Sequence, residues 1–283
     1  MGGYSLIEKL LFPPTSYNEQ GLARELKGKA VLITGASSGI GRQFAYLCAG
    51  AQTHLILVAR REELLLEMKR EIEISGTEVS VYSADLRNRE EMAGLLEFIH
   101  QIPGGLDIAV SNAGISINRS IEASLDRFHD FTRTMAINYF APVELLLSLI
   151  PLLKKNKGHI INVSTINALL IPIPFWAAYQ ASKTAFDAWF RSASPELNAG
   201  GIFTTSIYFP LVRTPMILPT PVYSSAPAMK PEHAAKIIAK SIYKKKKRYI
   251  PWWLIFGQLG SVLFRGALET ILPMRLQKRG EEH

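Results

Sequence analysis

"KAVLITGASSGIGRQFAYLCAG", residues 29–50, decides the fold. The apolar run Ala30–Thr34 reads as a buried strand, Gly35 opens a turn, and an amphipathic helix follows Gly39. A strand feeding a helix through glycines is a phosphate-binding device. Without Cβ atoms the backbone admits a pyrophosphate closely, and the helix N-terminus offers N–H donors and positive dipole. Here the spacing is G-x3-G-x-G, with Gly35, Gly39 and Gly41 as the glycines and Ser37, Ser38 and Ile40 between them.

The same alternation continues outward. "HLILVARR" (54–61) is a second strand, "REELLLEMKREIEISG" (61–76) a helix, and "EVSVYSAD" (78–85) a third strand. "REEMAGLLEFIHQ" (89–101) is a helix and "LDIAVSNAG" (106–114) a fourth strand. A long helix spans 128–155, "GHIINVST" (158–165) is a fifth strand, a helix runs from about Tyr179 to about Asn198, and "IFTTSIYF" (202–209) is a sixth strand. Strands alternating with helices of this length predict an α/β fold, a single doubly wound Rossmann-type parallel sheet with helices on both faces. The expected organisation is an N-terminal extension (1–27), one dinucleotide-binding catalytic domain (28–248) with a Pro- and Ser-rich substrate flap at 211–230, and a basic and apolar segment (249–283).

Composition narrows the chemistry. The single cysteine, Cys48, excludes an internal disulfide and a cysteine zinc cluster, and the six histidines show no metal-binding spacing, so no metal is expected. The start "MGGYSLIEKLLFPPTS" is too short in apolar length for a secretory signal, and Ser5 falls one place short of the myristoylation pattern that Gly2 suggests. A cytoplasmic enzyme, at most peripheral on a membrane, is expected. The net charge of +8 is carried by residues 230–283, which hold 12 Lys/Arg against four Glu. Such a tail suits nucleic acid, anionic lipid or a polyphosphate ligand.

"AAYQASK" (177–183) puts Tyr179 and Lys183 one helical turn apart on one face. A phenol near pKa 10 exchanges protons poorly at neutral pH. A neighbouring ammonium favours phenolate and brings that pKa toward the working range.

These motifs together resemble the short-chain dehydrogenase/reductase family, over about 190 residues. Its turn T-G-x3-G-x-G appears as "TGASSGIG" from Thr34. Ala59 stands where members using NAD carry an acid, and Arg60 follows, so NADP(H) is expected, with Ser37 or Ser38 and Arg61 or Arg42 assisting at a 2′-phosphate. Asp85, followed by Leu86, matches the acid beside the adenine. Asn112, Ala113 and Gly114 match the turn under the adenine ribose, and Asn138 matches the asparagine of a proton relay, its side chain extending the relay to solvent. The resemblance implies Tyr179 as general acid, with Lys183 tuning it and holding the nicotinamide ribose. The family's substrate-polarising hydroxyl falls on Thr165 by register or on Ser164 by residue type, because thirteen residues separate Thr165 from Tyr179 where the family has twelve. "FPLVRT" (209–214) departs from the family's P-G-x-V-x-T by Pro210, while Val212 and Thr214 keep the positions that bind the nicotinamide amide.

A narrower resemblance, carried by 125–140 and 205–223, is to bacterial long-chain fatty acyl-CoA reductases of the short-chain type. It implies NADPH-dependent reduction of long-chain acyl-CoA to fatty aldehyde. Other readings are a ketone or alcohol oxidoreductase acting on a lipid, steroid or retinoid, and a non-catalytic dinucleotide-binding scaffold. Partners then are a lipid-like small molecule and a second copy of the chain in a dimer or tetramer, with no nucleic acid. The stretch "KKKKRYIPWWLIFGQLGSVLF" (244–264) is interrupted by polar and glycine residues and is not read as a span. It reads as an interfacial anchor, or as a lid over the cleft or a subunit contact.

Overall fold

The order of the strands explains where a ligand must sit. In this computed structural model, which describes residues 3–220, 223, 225–267, 270, 271, 273 and 274, seven parallel strands form one sheet in the order β3-β2-β1-β4-β5-β6-β7. They are β1 (Ala30–Thr34), β2 (His54–Ala59), β3 (Glu78–Ser83), β4 (Ile108–Ser111), β5 (His159–Thr165), β6 (Phe203–Phe209) and β7 (Arg248–Tyr249). The chain winds from β1 to one edge, returns to β4 beside β1, and winds to the other edge. The direction reverses between β1 and β4, where Val31–Ile33 pair with Ile108–Val110. A crevice opens at the carboxyl ends of strands at such a switch point.

Both sheet faces are buried, which is why the strands read as apolar runs rather than alternating ones. One face is covered by α1 (Leu6–Leu11), α2 (Glu19–Leu26), α3 (Gly39–Leu47), α4 (Glu62–Glu73) and, later in the chain, Pro231–Tyr243, through Phe12, Leu22, Phe44, Leu65 and Ile238. The other is covered by α5 (Arg89–His100), α6 (Phe128–Met135), α7 (Ala141–Lys155) and α8 (Ala177–Ala199), through Leu95, Leu149, Phe186 and Phe190. Helix Pro231–Tyr243 is α9, and Leu254–Leu263 is α10. The run 128–155 is long and apolar enough to cross a membrane, yet Leu145, Leu146, Leu149 and Leu153 are buried on the sheet.

Several details differ from the sequence reading. The sheet has a seventh strand, two residues long and too short to show a pattern, so the boundary set at 248 cuts β7. The residues set apart as an N-terminal extension pack on the core through Phe12, Leu22 and Leu26. The long helix contains a π-helical turn, Ala136–Phe140. The lysine run does not adjoin the apolar stretch that follows it. Lys246 and Lys247 accept backbone-edge hydrogen bonds from Thr205 and Ser206 early in β6, and Lys245 lies 3.1 Å from Glu25, whereas α10 lies beyond β7 at the other end of the sheet. Gly2, flap residues 221, 222 and 224, and residues 275–283 lie outside the described residues.

Candidate active site

The crevice holds two adjoining cavities that share Gly35, Ser38, Ala113 and Gly114. The smaller, about 160 Å3, is lined also by Ser37, Arg60, Arg61, Asp85, Leu86 and Arg87. The larger, about 390 Å3, reaches Gly39, Ile40, Asn112, Ser164, Thr165, Tyr179, Lys183, Val212 and Thr214.

The glycine turn is built as a cradle. Ser38, the N-cap of α3, makes no side-chain cap, which leaves the first N–H groups of the helix facing the crevice. Gly39 has φ +55°, and a Cβ there would lie 2.8 Å from the Thr214 methyl. A Cβ on Gly41 would lie 2.5 Å from the Gly35 carbonyl, so the turn closes only with glycine there. The Asn112 amide donates to the Thr34 and Gly35 carbonyls (2.9 and 3.3 Å), and Thr34 Oγ1 accepts from the N–H groups of Asn112 and Ala113 (3.0 Å each). The Asn112 side chain therefore holds the turn in place.

At the far end of the smaller cavity Arg61 donates to Ser37 Oγ (3.0 Å), while Arg60, 63% exposed, is only loosely paired with Asp85 at 4.0 Å. Arg87 grips Asp85 through Nε (2.9 and 3.2 Å) and holds its carboxyl below the usual range. Sequence reading missed Arg87; its place two residues after Asp85 was the available signal. Arg42 is directed at Tyr46 (3.4 Å to the hydroxyl) and does not line the cavity. The fit to a dinucleotide carrying a 2′-phosphate is good: an uncapped helix terminus, a Cβ-free turn, and Arg60 and Arg61 lining the same small cavity as Ser37.

Both candidate hydroxyls, on successive residues of β5, line the larger cavity with different neighbours. Thr165 lies beside the Tyr179 phenol, while Ser164 and Tyr208 lie beside Asp187, a buried carboxylate paired with Arg191 (3.1 Å). Burial raises the Tyr179 phenol above its ordinary value, with Thr165 opposing. The expected net lowering is not found, because burial dominates at the phenol; the Lys183 ammonium donates to the Val163 carbonyl (3.3 Å). Burial brings Lys183 itself down to about 8, with Asp187 opposing.

Asn138 sits in the π-helical turn, a feature common at functional sites. Its amide protons go to the Ile115 carbonyl (2.9 Å) and Ser182 Oγ (3.0 Å), and its oxygen accepts from the Ile115 N–H (3.0 Å). No side-chain donor is left for a relay water; the amide fixes the loop after β4 against α8.

The loop between Thr165 and Tyr179 holds Phe175 in the left-handed region, at φ +71°. Gln180, also missed in the sequence, ties this loop down, donating to the Asn167 carbonyl (2.7 Å) and accepting from the Ile173 N–H (3.0 Å). Cys48 is fully buried in the core, its thiol pushed well above the ordinary range, and lines neither cavity.

Known proteins agree with this geometry. The family model for short chain dehydrogenases matches residues 29–220. The fatty acyl-CoA reductase of Acinetobacter baylyi is 44% identical over 247 residues, covering 87% of this chain and 82% of that protein. A fatty acyl-CoA reductase of Mycobacterium tuberculosis is 38% identical over 80% of this chain and 78% of its own length. Among solved structures, L-sorbose reductase from Gluconobacter frateurii, complexed with NADPH and L-sorbose, superposes with a TM-score of 0.70 at 26% identity, covering 77% of this chain and 90% of that one. With the family model matched over residues 29–220 and a relative 44% identical over most of both chains, the chain belongs to the short-chain dehydrogenase family of oxidoreductases.

Proposed function

We propose that the protein is an NADPH-dependent reductase of long-chain fatty acyl-CoA, yielding the fatty aldehyde and free CoA. One observation carries the chemistry: Thr165, Tyr179 and Lys183 line one cavity, with Thr165 beside the phenol. Similarity to two fatty acyl-CoA reductases supports the substrate, and the arginines at Ser37 support the phosphorylated cofactor.

When bound, the nicotinamide supplies the hydride. Gly35, Ser38, Gly39 and Ile40 would hold the pyrophosphate, Arg60 and Arg61 the 2′-phosphate, and Asp85, Leu86, Asn112, Ala113 and Gly114 the adenosine side. Val212 and Thr214 would hold the nicotinamide amide, and Lys183 its ribose. Thr165 donates to the thioester oxygen and Tyr179 delivers a proton to it. A phenol kept above its ordinary pKa is protonated at neutral pH, as a proton donor in reduction must be. The resulting hemithioacetal expels the thiol of CoA. Lys183 holds positive charge close to where the tyrosinate forms. Ser164, Asn138 and Gln180 position these groups: Ser164 through Asp187, Asn138 through Ile115 and Ser182, Gln180 through the loop over the cleft.

Location follows from the same substrate. The outer faces of α1 and α10 expose Leu6, Ile7, Leu10, Ile255, Phe256 and Leu259. Trp252 and Trp253 join the helices, donating to the carbonyls of Leu10 (3.1 Å) and Leu11 (3.2 Å). Gly257 of α10 lies against Leu170 of the loop over the cleft. Seated in the headgroup region, this face would open the cleft toward the lipid.

The test is parallel incubation of NADPH with long-chain acyl-CoA, aldehydes, ketones and steroids. NADPH loss matched by free thiol release is the expected result. NADPH loss with ketones or steroids and none with acyl-CoA overturns the proposal in favour of a carbonyl reductase.

A further inference from the structure

The helix before the glycine-turn domain is joined to the flap. Glu8 of α1 is 3% exposed. Its Oε2 accepts from the Ser5 N–H (2.9 Å), and the Ser5 hydroxyl accepts from the Glu8 N–H (3.2 Å), closing a capping box on α1. Its Oε1 accepts from the Arg213 guanidinium and from the Ala228 N–H (3.2 Å). One buried carboxylate thus caps α1 and bridges the two ends of the flap.

Those ends are already in register. Met229 donates to the Leu211 carbonyl (2.8 Å), and Arg213 donates to the Met229 carbonyl (2.9 Å), around the Val212–Met229 bridge. Tyr4 adds a second tie by accepting from the Lys230 N–H (2.8 Å), and its hydroxyl is paired with His233 Nδ1 (3.1 Å). Arg213 stands between Val212 and Thr214, and the Thr214 methyl packs at Gly39. Whatever fixes Arg213 therefore fixes the strand of chain that borders both the cofactor turn and the larger cavity.

We infer that Glu8 is a positioning residue for the reaction, acting through Arg213 to hold the base of the flap against the crevice. The N-terminal helix is then a working part of the substrate site rather than an appendage. The inference rests on the reductase reading for its catalytic consequence, but its structural content can be read without any substrate. Glu8→Gln keeps a neutral acceptor for the Ser5 and Ala228 N–H groups and removes the charge facing Arg213. Charge-assisted hydrogen bonds of this kind are worth roughly ten- to a hundredfold in an equilibrium.

The experiment is thermolysin digestion of the full chain, with fragments identified by mass spectrometry. In Glu8→Gln and in Arg213→Met, cleavage before Met216, Ile217 or Leu218 should rise about tenfold, while cleavage in the 166–176 loop stays at the wild-type rate. The double variant should be cut no faster than the faster single variant, because both remove one interaction. Arg213→Lys, which keeps a cation for Glu8, should restore most of the protection. In turnover assays the KM for acyl-CoA should rise several-fold with kcat within about twofold, since Tyr179, Thr165 and Lys183 lie on other elements. Unchanged flap cleavage, additive effects in the double variant, or a uniform rise of cleavage over the whole chain would each overturn the inference. A wild type that turns over no acyl-CoA but shows the flap-specific pattern would refute the reductase reading and leave Glu8 as the anchor of the flap.

Discussion

Thr165 lies beside the Tyr179 phenol in the larger cavity, whereas Ser164, one residue earlier on β5, lies beside Asp187. A strand turns successive side chains to opposite faces, so although both hydroxyls line the cavity, Thr165 is the one set beside the phenol. Thr165→Val should lower kcat by about 10²–10³, the usual loss for one oxyanion donor. Ser164→Ala should leave kcat within about tenfold, because this hydroxyl lies beside Asp187 rather than the phenol. Steady-state kinetics of both variants decides this, and a crippled Ser164→Ala with an active Thr165→Val reverses the assignment.

Cofactor choice should reside in Arg60 and Arg61. Replacing either with alanine should weaken NADPH roughly ten- to a hundredfold while NADH is unaffected, since only the 2′-phosphate is lost as a partner. Arg42→Ala, whose side chain lies on Tyr46, should change neither affinity. Fluorescence titration gives the Kd values; equal binding of NADPH and NADH by the wild type excludes the arrangement.

Reductase activity should fall as pH rises through about 8. Burial sets Lys183 there, so the ammonium is present below that pH and lost above it. The Tyr179 phenol, raised by burial, stays protonated through the same window and does not set the limb. The pH profile of kcat/KM reports the free enzyme. A profile that stays flat to pH 10 would remove Lys183 from the mechanism.

The exposed face of α1 and α10 predicts sedimentation with lipid vesicles. Burying one large apolar side chain gives roughly 1.5–3 kcal/mol, so Leu10→Glu with Phe256→Glu should release the protein. Because the lysine run lies before β7, away from α10, high salt should release only a minor part. Full-length protein that remains in the supernatant at low salt would instead assign this face to a subunit contact.

The sheet, its order of elements and the crevice were legible because a buried parallel strand is a continuous apolar run and a Cβ-free turn leaves its glycines in view. β7 escaped because two residues carry no period. The choice between Ser164 and Thr165 escaped because residue type and loop length pointed to different answers, and the left-handed backbone at Phe175 in the loop that follows could not be read from the sequence. The Asn138 amide, fully used in hydrogen bonds, and the surroundings of Lys183 are matters of who touches whom. Only the fold brings Ile115 and Ser182 to one residue and Val163 and Asp187 to the other.

The decisive measurement follows the hydride. The enzyme is given a long-chain acyl-CoA and NADPH fully deuterated at the nicotinamide C4, and the products are read by mass spectrometry. Direct reduction of the thioester predicts fatty aldehyde carrying deuterium at C1, equimolar free CoA and no acylated protein, with both products lost in Tyr179→Phe. Absence of labelled aldehyde, while deuterium enters an alcohol formed from a ketone or steroid, would contradict the assignment of acyl-CoA as substrate.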